Sequence, residues 1–295
     1  MKNILSIGEA MIELAGTTPN LALGFAGDTF NTAWHLRRKL PRLDWNVAFY
    51  TATGTDVYSR EFRTFANDSG VDLLGSPELS DHQLGLYLIQ QEHGDRRFSY
   101  WRRNSAATHL ADDKSLLWSS LSGADVIFFS GVTLAILAPM KRLLFLQSVA
   151  RARDGGTKIV FDPNIRRNLW ISRRQMRASI TGAAAIADIV LPSFADEYAH
   201  FNDRTPNECA RRYSNAGARE VVVKNGGEPI HVALEGAFET YAPVKIVECV
   251  DATGAGDAFN AGYLAARLNG ETVGNAVHAG HLLASKTIMH HGALG

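Results

Sequence analysis

Short apolar runs recur along the chain at the length of buried strands, and stretches with helical spacing stand between them. Residues 4–7, 47–51, 126–130, 159–161, 189–191 and 221–223 are β-branched or aromatic and are closed by Gly, Pro or polar residues, as strands covered on both faces are. Residues 30–39, 59–69, 139–153, 173–185 and 206–216 read as helices. This alternation predicts an α/β fold, a mostly parallel sheet flanked by helices. One region breaks the rhythm. Residues 84–91 read as a strand, Glu92-His93-Gly94-Asp95 as a turn and residues 97–102 as a second strand. Gln83, Tyr87 and Gln91 interleave with Leu84, Leu86 and Leu88, which gives one wetter and one drier face. Residues 11–14 supply a further strand. A small sheet inserted into an α/β unit is the usual design of a lid.

Composition narrows the function classes. Lys plus Arg number 30 and Asp plus Glu number 30, so no bulk charge draws the chain to nucleic acid or to an acidic membrane. The two cysteines, Cys209 and Cys249, lack metal-ligand spacing. The opening apolar run is too short for a signal peptide and no stretch is long enough to span a bilayer, so a soluble cytoplasmic protein is expected.

The most informative segment is Asp251-Ala252-Thr253-Gly254-Ala255-Gly256-Asp257-Ala258-Phe259. Three consecutive small residues permit a tight turn, and helix-friendly residues follow as far as Gly270. A turn that opens a helix leaves backbone N–H groups aimed outward, which makes an anion site. Asp257, on the first turn, would repel a bound phosphate unless it takes a proton from a nucleophile. The residues describe phosphoryl transfer. No Walker-type Gly-x-x-x-x-Gly-Lys-Ser/Thr occurs, and Gly254-Ala255-Gly256 lacks the third glycine of a dinucleotide fingerprint.

Other clusters fit a polyol acceptor. Gly27 and Asp28, with Asn31 three residues on, open a helix and suit hydroxyl recognition, although Asp28 also reads as a helix cap. Asp162-Pro163-Asn164-Ile165-Arg166 follows a strand at the end where open α/β sheets bind ligands. Arg102 closes the second lid strand. Two arginines over one pocket suit a carboxylate, and Tyr87 and Tyr100 offer ring faces and hydroxyls. Solvated strand-end arginines and ordinary aromatic packing are the plain readings of the same residues. Lys224-Asn225-Gly226-Gly227 is either a hairpin turn or a loop along a triphosphate.

The 251–259 segment resembles the C-terminal signature of the ribokinase-like (PfkB-type) sugar kinases, departing at Ala252. Ala26-Gly27 stands where that family carries Gly-Gly before Asn31. Gly27-Asp28-Thr29 with Asn31, Tyr100-x-Arg102 with Ser105-Ala106, and Asp162-x-Asn164-x-Arg166 with Arg167–Trp170 are similar to the branch that phosphorylates 2-keto-3-deoxygluconate. The resemblance covers essentially the whole chain and implies one ribokinase-like kinase domain over residues 1–295, with lid strands near 10–25 and 84–103. It implies Asp257 as the base, with Gly254, Ala255 and Gly256 as the anion hole. Gly27, Asp28, Asn31, Tyr87, Tyr100, Arg102 and Arg166 become substrate contacts. Ser193, Lys224, Gly226, Gly227, Gly254, Gly256, Ala279 and Gly280 become nucleotide contacts. Asp196 and Glu197 take the place of the family's Mg²⁺-organising acid, acting through water, and Asp251 that of a monovalent-cation ligand. ATP, Mg²⁺ and K⁺ are the implied cofactors, and a homodimer formed through the lid the implied assembly. A kinase for fructose, ribose or a nucleoside, and a sugar sensor without chemistry, remain alternative readings; a nicotinamide dehydrogenase is disfavoured by the missing fingerprint.

Overall fold

The computed structural model describes residues 1–17, 19–92, 95–244 and 249–294; for residues 17, 91, 92, 95 and 96 it describes the backbone. His93 and Gly94, the middle of the expected lid turn, lie outside the described residues.

The chain opens with β1 (Lys2–Ile7), β2 (Met11–Thr17), β3 (Asn20–Ala26), α1 (Asp28–Lys39), β4 (Trp45–Tyr50), β5 (Thr53–Gly54) and α2 (Val57–Asp68). Next come β6 (Glu78–Leu79), β7 (Gly85–Glu92), β8 (Asp95–Trp101), α3 (Lys114–Leu121), β9 (Val126–Ser130), α4 (Gly131–Ile136) and α5 (Pro139–Asp154). The C-terminal half holds β10 (Lys158–Asp162), α6 (Arg173–Ala185), β11 (Ile189–Val190), α7 (Phe194–Phe201), α8 (Pro206–Ala216), β12 (Glu220–Val223), β13 (Ile230–Leu234), β14 (Ala237–Tyr241), α9 (Ala255–Leu268) and α10 (Val273–Thr287).

Eight strands form the main sheet in the order β14-β13-β12-β11-β10-β9-β1-β4, parallel from β12 to β4 with two antiparallel strands at the other edge. Its strands are covered on both faces, as their unbroken apolar runs require. Neighbours in sequence fall into opposite core layers: Phe128 packs with Phe30, Phe49, Phe62 and Tyr263, while Phe129 packs with Phe145, Phe161 and Tyr213. The first layer carries α1, α2, α9 and α10; the second carries α3, α5, α6 and α8.

The lid is a separate sheet in the order β3-β2-β7-β8. Glu13 pairs with Tyr87 and Tyr87 with Tyr100, so these three side chains share one face with Met11, Ile89 and Phe98. The opposite face presents Ile12, Leu14, Phe25 and Leu86 to the first core layer. Both faces are therefore occupied at the base of the lid, and the strand pattern continues to a rim where Leu23 and Trp101 are exposed.

Candidate active site

The carboxyl ends of β1, β10 and β12, the first turns of α1, α7 and α9, and the Tyr87 face of the lid enclose a cavity of about 1110 Å³. Small-molecule pockets run to roughly 300–1,000 Å³, so this cavity lies at the upper end of that range.

At one end stands the turn before α9. Gly254 caps the helix in the left-handed region with φ 75°, and a Cβ there would meet Ala293 at 2.7 Å. Only glycine allows that turn without strain. No carbonyl among the described residues takes the amides of Gly256 and Asp257, so they stand free at the helix N-terminus. The Asp257 carboxylate accepts from Asn31 Nδ2 at 2.8 Å. Burial, and then the nearby Asp28 charge, push its pKa well above the usual carboxylate range, against the pull of the Asn31 hydrogen bond. A carboxyl raised in this way is a better proton acceptor than an exposed one.

Beside the turn, Lys224 Nζ donates to Asp162 Oδ2 at 2.7 Å and to Asn260 Oδ1 at 3.0 Å, and Asn260 Nδ2 donates to the same Asp162 oxygen at 2.6 Å. A Cβ built on Gly256 would lie 3.6 Å from Nζ, so the ammonium sits against the anion turn.

At the other end, Asp28 accepts from Thr29 N at 2.9 Å and from Asn164 Nδ2 at 2.6 Å. Asn164 holds φ 29°, an uncommon backbone for a residue with a side chain. Gly27 lets β1's exit and the start of α1 touch: a Cβ on it would reach Glu9 O at 2.0 Å. The two arginines expected to meet a substrate carboxylate both have carboxylate partners within the protein. Arg102 donates to the buried Glu9, which also accepts from Ser105 Oγ at 2.6 Å, and Arg166 lies 3.6 Å from Asp196. Burial raises the Glu9 pKa, and the Arg102 charge opposes this. Tyr87 donates its hydroxyl to Glu13, and its ring lies 5.9 Å from that of Tyr100.

Gly27, Asp28, Asn31, Tyr87, Tyr100, Arg102, Arg166, Ser193, Asp196, Lys224, Gly226 and Gly254 to Asp257 all line the cavity. Four other expected residues fall outside that lining. Glu197 points away: it is fully buried and bound to Arg212 Nη2 at 2.7 Å and Tyr213 Oη at 2.8 Å. Adjacent helical residues diverge by about 100°, so Asp196 and Glu197 cannot both face the cavity. Gly227 falls outside the lining. So do Ala279 and Gly280, which are spent on packing: a Cβ on Gly280 would meet the Phe259 ring at 2.8 Å, and Ala279 O lies 2.6 Å from a Cβ built on Gly262. One residue further on, His281 lines the cavity instead, buried beside Phe259. Neither ring nitrogen has a partner among the described residues, and burial lowers its pKa, which keeps the ring neutral. Nothing in the sequence pattern separates His281 from His278 beyond a three-residue step around the helix. Asp251, expected near a monovalent cation, accepts from Thr253 N and Gly292 N, each at 2.8 Å. Among the described residues, the grouping of Glu197, Asp203 and Cys209 has metal-ligand types, but the Arg212 guanidinium already sits between its carboxylates.

The comparisons with known proteins agree with this geometry. The pfkB family carbohydrate kinase pattern matches residues 1–295. The chain is 36% identical over 299 residues to the 2-dehydro-3-deoxygluconokinase of Dickeya dadantii (strain 3937), covering 99% of this chain and 96% of that one. Among solved structures, the PfkB protein from Polaromonas sp. JS666 superposes with a TM-score of 0.86 at 28% identity, over 98% of this chain and 96% of that one. The fructokinase from Vibrio cholerae O395, in its fructose, ADP and calcium ion bound form, shares the fold with a TM-score of 0.86 at 23% identity, over 100% and 95% of the two chains. A family match over the full length and a relative 36% identical over nearly the whole chain lead to one conclusion: this chain belongs to the pfkB family of carbohydrate kinases.

Proposed function

We propose that this chain transfers the γ-phosphoryl group of ATP to the 6-hydroxyl of 2-keto-3-deoxygluconate, acting as one kinase unit with a lid. The observation that carries the reading is the presence, in one cavity, of Asp257 beside two free helix amides and of Arg102 beneath the lid. The 2-dehydro-3-deoxygluconokinase from Dickeya dadantii supports the choice of sugar acid.

In this reading the hydroxyl lies between Asp257 and the turn. Asp257 takes the hydroxyl proton as the oxygen attacks phosphorus, and the Gly256 and Asp257 amides face the charge that develops on the transferring group. Phosphoryl transfer depends chiefly on positioning and electrostatics, and Asn31 fixes the carboxylate rotamer. Arg102 and Arg166 hold the substrate carboxylate, with Tyr87 and Tyr100 across the sugar. His281, Phe259 and Ala284 form the wall for the base of the nucleotide. Asp196 faces the cavity with its carboxylate and fits a magnesium ion held through water, a cation that when bound screens the triphosphate charge. Asp251, with both oxygens on backbone amides, fits the edge of a potassium site. The exposed lid rim, including Leu23 and Trp101, suits pairing with a second copy. Among the described residues no helix is long and apolar enough to cross a membrane, which is consistent with work in the cytoplasm.

The test is ADP release with Mg-ATP across 2-keto-3-deoxygluconate, 2-ketogluconate, fructose, ribose and adenosine. Turnover confined to the keto acids is expected. Comparable turnover on fructose or ribose would reject the assignment of Arg102 and Arg166 to a substrate carboxylate, and no turnover at all would favour the sensor.

A further inference from the structure

Lys224 is held more firmly than a lysine waiting for phosphate needs to be. Its ammonium has three hydrogens, and two are committed, one to Asp162 and one to Asn260. The two holders are themselves joined, since Asn260 donates to the same Asp162 oxygen. The other Asp162 oxygen accepts from the Asn164 backbone at 3.0 Å, which fixes the carboxylate plane. Asp162 is 3% exposed and Asn260 0%, so the triangle is sheltered from competing water. Its corners come from the end of β10, the end of β12 and the third residue after Asp257 on α9. Positions three apart share a helix face. The helix that carries the base therefore also carries one of the lysine's two holders.

We propose that Asp162 and Asn260 are positioning residues that act through Lys224, aiming its remaining N–H at the transferring phosphoryl group against the Gly256 turn. The inference rests on the phosphoryl-transfer reading above. A free lysine side chain loses rotamer freedom when fixed, and here the protein fixes it before the nucleotide arrives. Asp162 also offsets the lysine charge, so the ammonium favours the group in flight more than it tightens the hold on bound triphosphate. Asp162→Asn keeps the shape, but it replaces one acceptor oxygen by an NH2 donor and loses the charge that centres the ammonium. Lys224 then has a free charge and a looser position.

The experiment is a double-mutant cycle of Asp162→Asn and Lys224→Met, read twice. In turnover, Asp162→Asn alone is expected to lower kcat by about 10- to 100-fold, the range of one charge-assisted contact, with KM for ATP unchanged or lower. In the Lys224→Met background the same change is expected to cost less than about two-fold, because groups acting as one unit do not add. In equilibrium binding, which needs no sugar turnover, Asp162→Asn is expected to raise the affinity ratio of a non-hydrolysable ATP analogue to ADP, and only when Lys224 is present. Asn260→Ser, run through the same cycle, serves if Asp162→Asn does not fold. Additive losses overturn the proposal. So does a rise of about tenfold in the Mg²⁺ concentration needed by Asp162→Asn, which would make Asp162 a partner of the metal. Inactive wild-type protein would reject the phosphoryl-transfer reading, whereas active wild-type with an additive cycle rejects the positioning role alone.

Discussion

Arg102→Ala should harm stability as well as substrate binding, and the two effects can be separated. Arg102 and Glu9 have side chains 12% and 1% exposed, so water screens their pairing little. Removing one partner of such a pair costs about 3–5 kcal/mol, because the other charge stays buried alone. Unfolding entropy near 2.1 cal/mol/K per residue gives roughly 0.6 kcal/mol/K for this chain, hence a fall in Tm of about 5–8 °C. The loss should depend on pH. Burial already raises the Glu9 pKa above its ordinary 4.5, with the Arg102 charge opposing it. Without Arg102 the largest opposing interaction is gone and only the Ser105 hydrogen bond still resists the rise, so the folded state binds more protons than the unfolded chain once pH exceeds that ordinary value. Stability then falls as pH climbs. The Tm gap between variant and wild type should therefore widen as pH rises above that ordinary value. Glu9→Gln in the Arg102→Ala background should recover most of it. Thermal unfolding across pH supplies that result, and ADP release supplies the KM for the sugar acid, which stays raised in the double variant. A Tm within about 1 °C of wild type at every pH would refute the claim that a charged pair is buried here.

Other outcomes follow from the same geometry. Asp257→Asn should lower kcat about 10²–10⁴-fold while calorimetry still detects nucleotide and sugar-acid binding; near-normal turnover would remove Asp257 as the base. Gly254→Ala strains a left-handed turn against Ala293, so kcat should fall at least about tenfold with the lid and sheet intact by circular dichroism. His281→Leu removes a neutral ring with two unpartnered nitrogens; KM for ATP should rise several-fold with kcat kept, and an unchanged KM would leave the ring a packing role.

Much of this was legible in the sequence, for identifiable reasons. Buried strands such as Val126–Ser130 have no polar face, so their apolar runs stand out, and α6 and α8 run over the residues their spacing predicts. The edge strands β3 and β14 are mostly exposed and carry too little apolar contrast to be read. The six-residue α4 and eight-residue α7 are too short to establish a helical period. In the site, Asp257, Asp28, Arg102 and Lys224 announce themselves because a charge beside a small-residue turn or at a strand end is conspicuous. Their partners do not. Glu9 lies in an ordinary stretch after β1, Asn260 follows a phenylalanine on a core helix, and Asp196 and Glu197 differ only in which way the helix turns them. Side-chain pairing between distant segments is set by the tertiary fold, and a single sequence carries no local trace of it.

The two core layers have unequal duties. α1, α9 and α10, which supply Asp28, Asn31, Asp257 and His281, all lie against the layer built on Phe30, Phe49 and Tyr263. The opposite layer, with α3, α5, α6 and α8 around Phe129, Phe145 and Tyr213, contributes none of those four groups. A laboratory wishing to harden this catalyst against heat can therefore concentrate its libraries there. Cavity-filling and surface-helix substitutions commonly add about 0.5–2 kcal/mol each, and on α3, α5, α6 and α8 they fall away from those four groups. Changes on the α1–α9 side alter the placement of the reacting groups, and selection for activity will constrain them far more tightly.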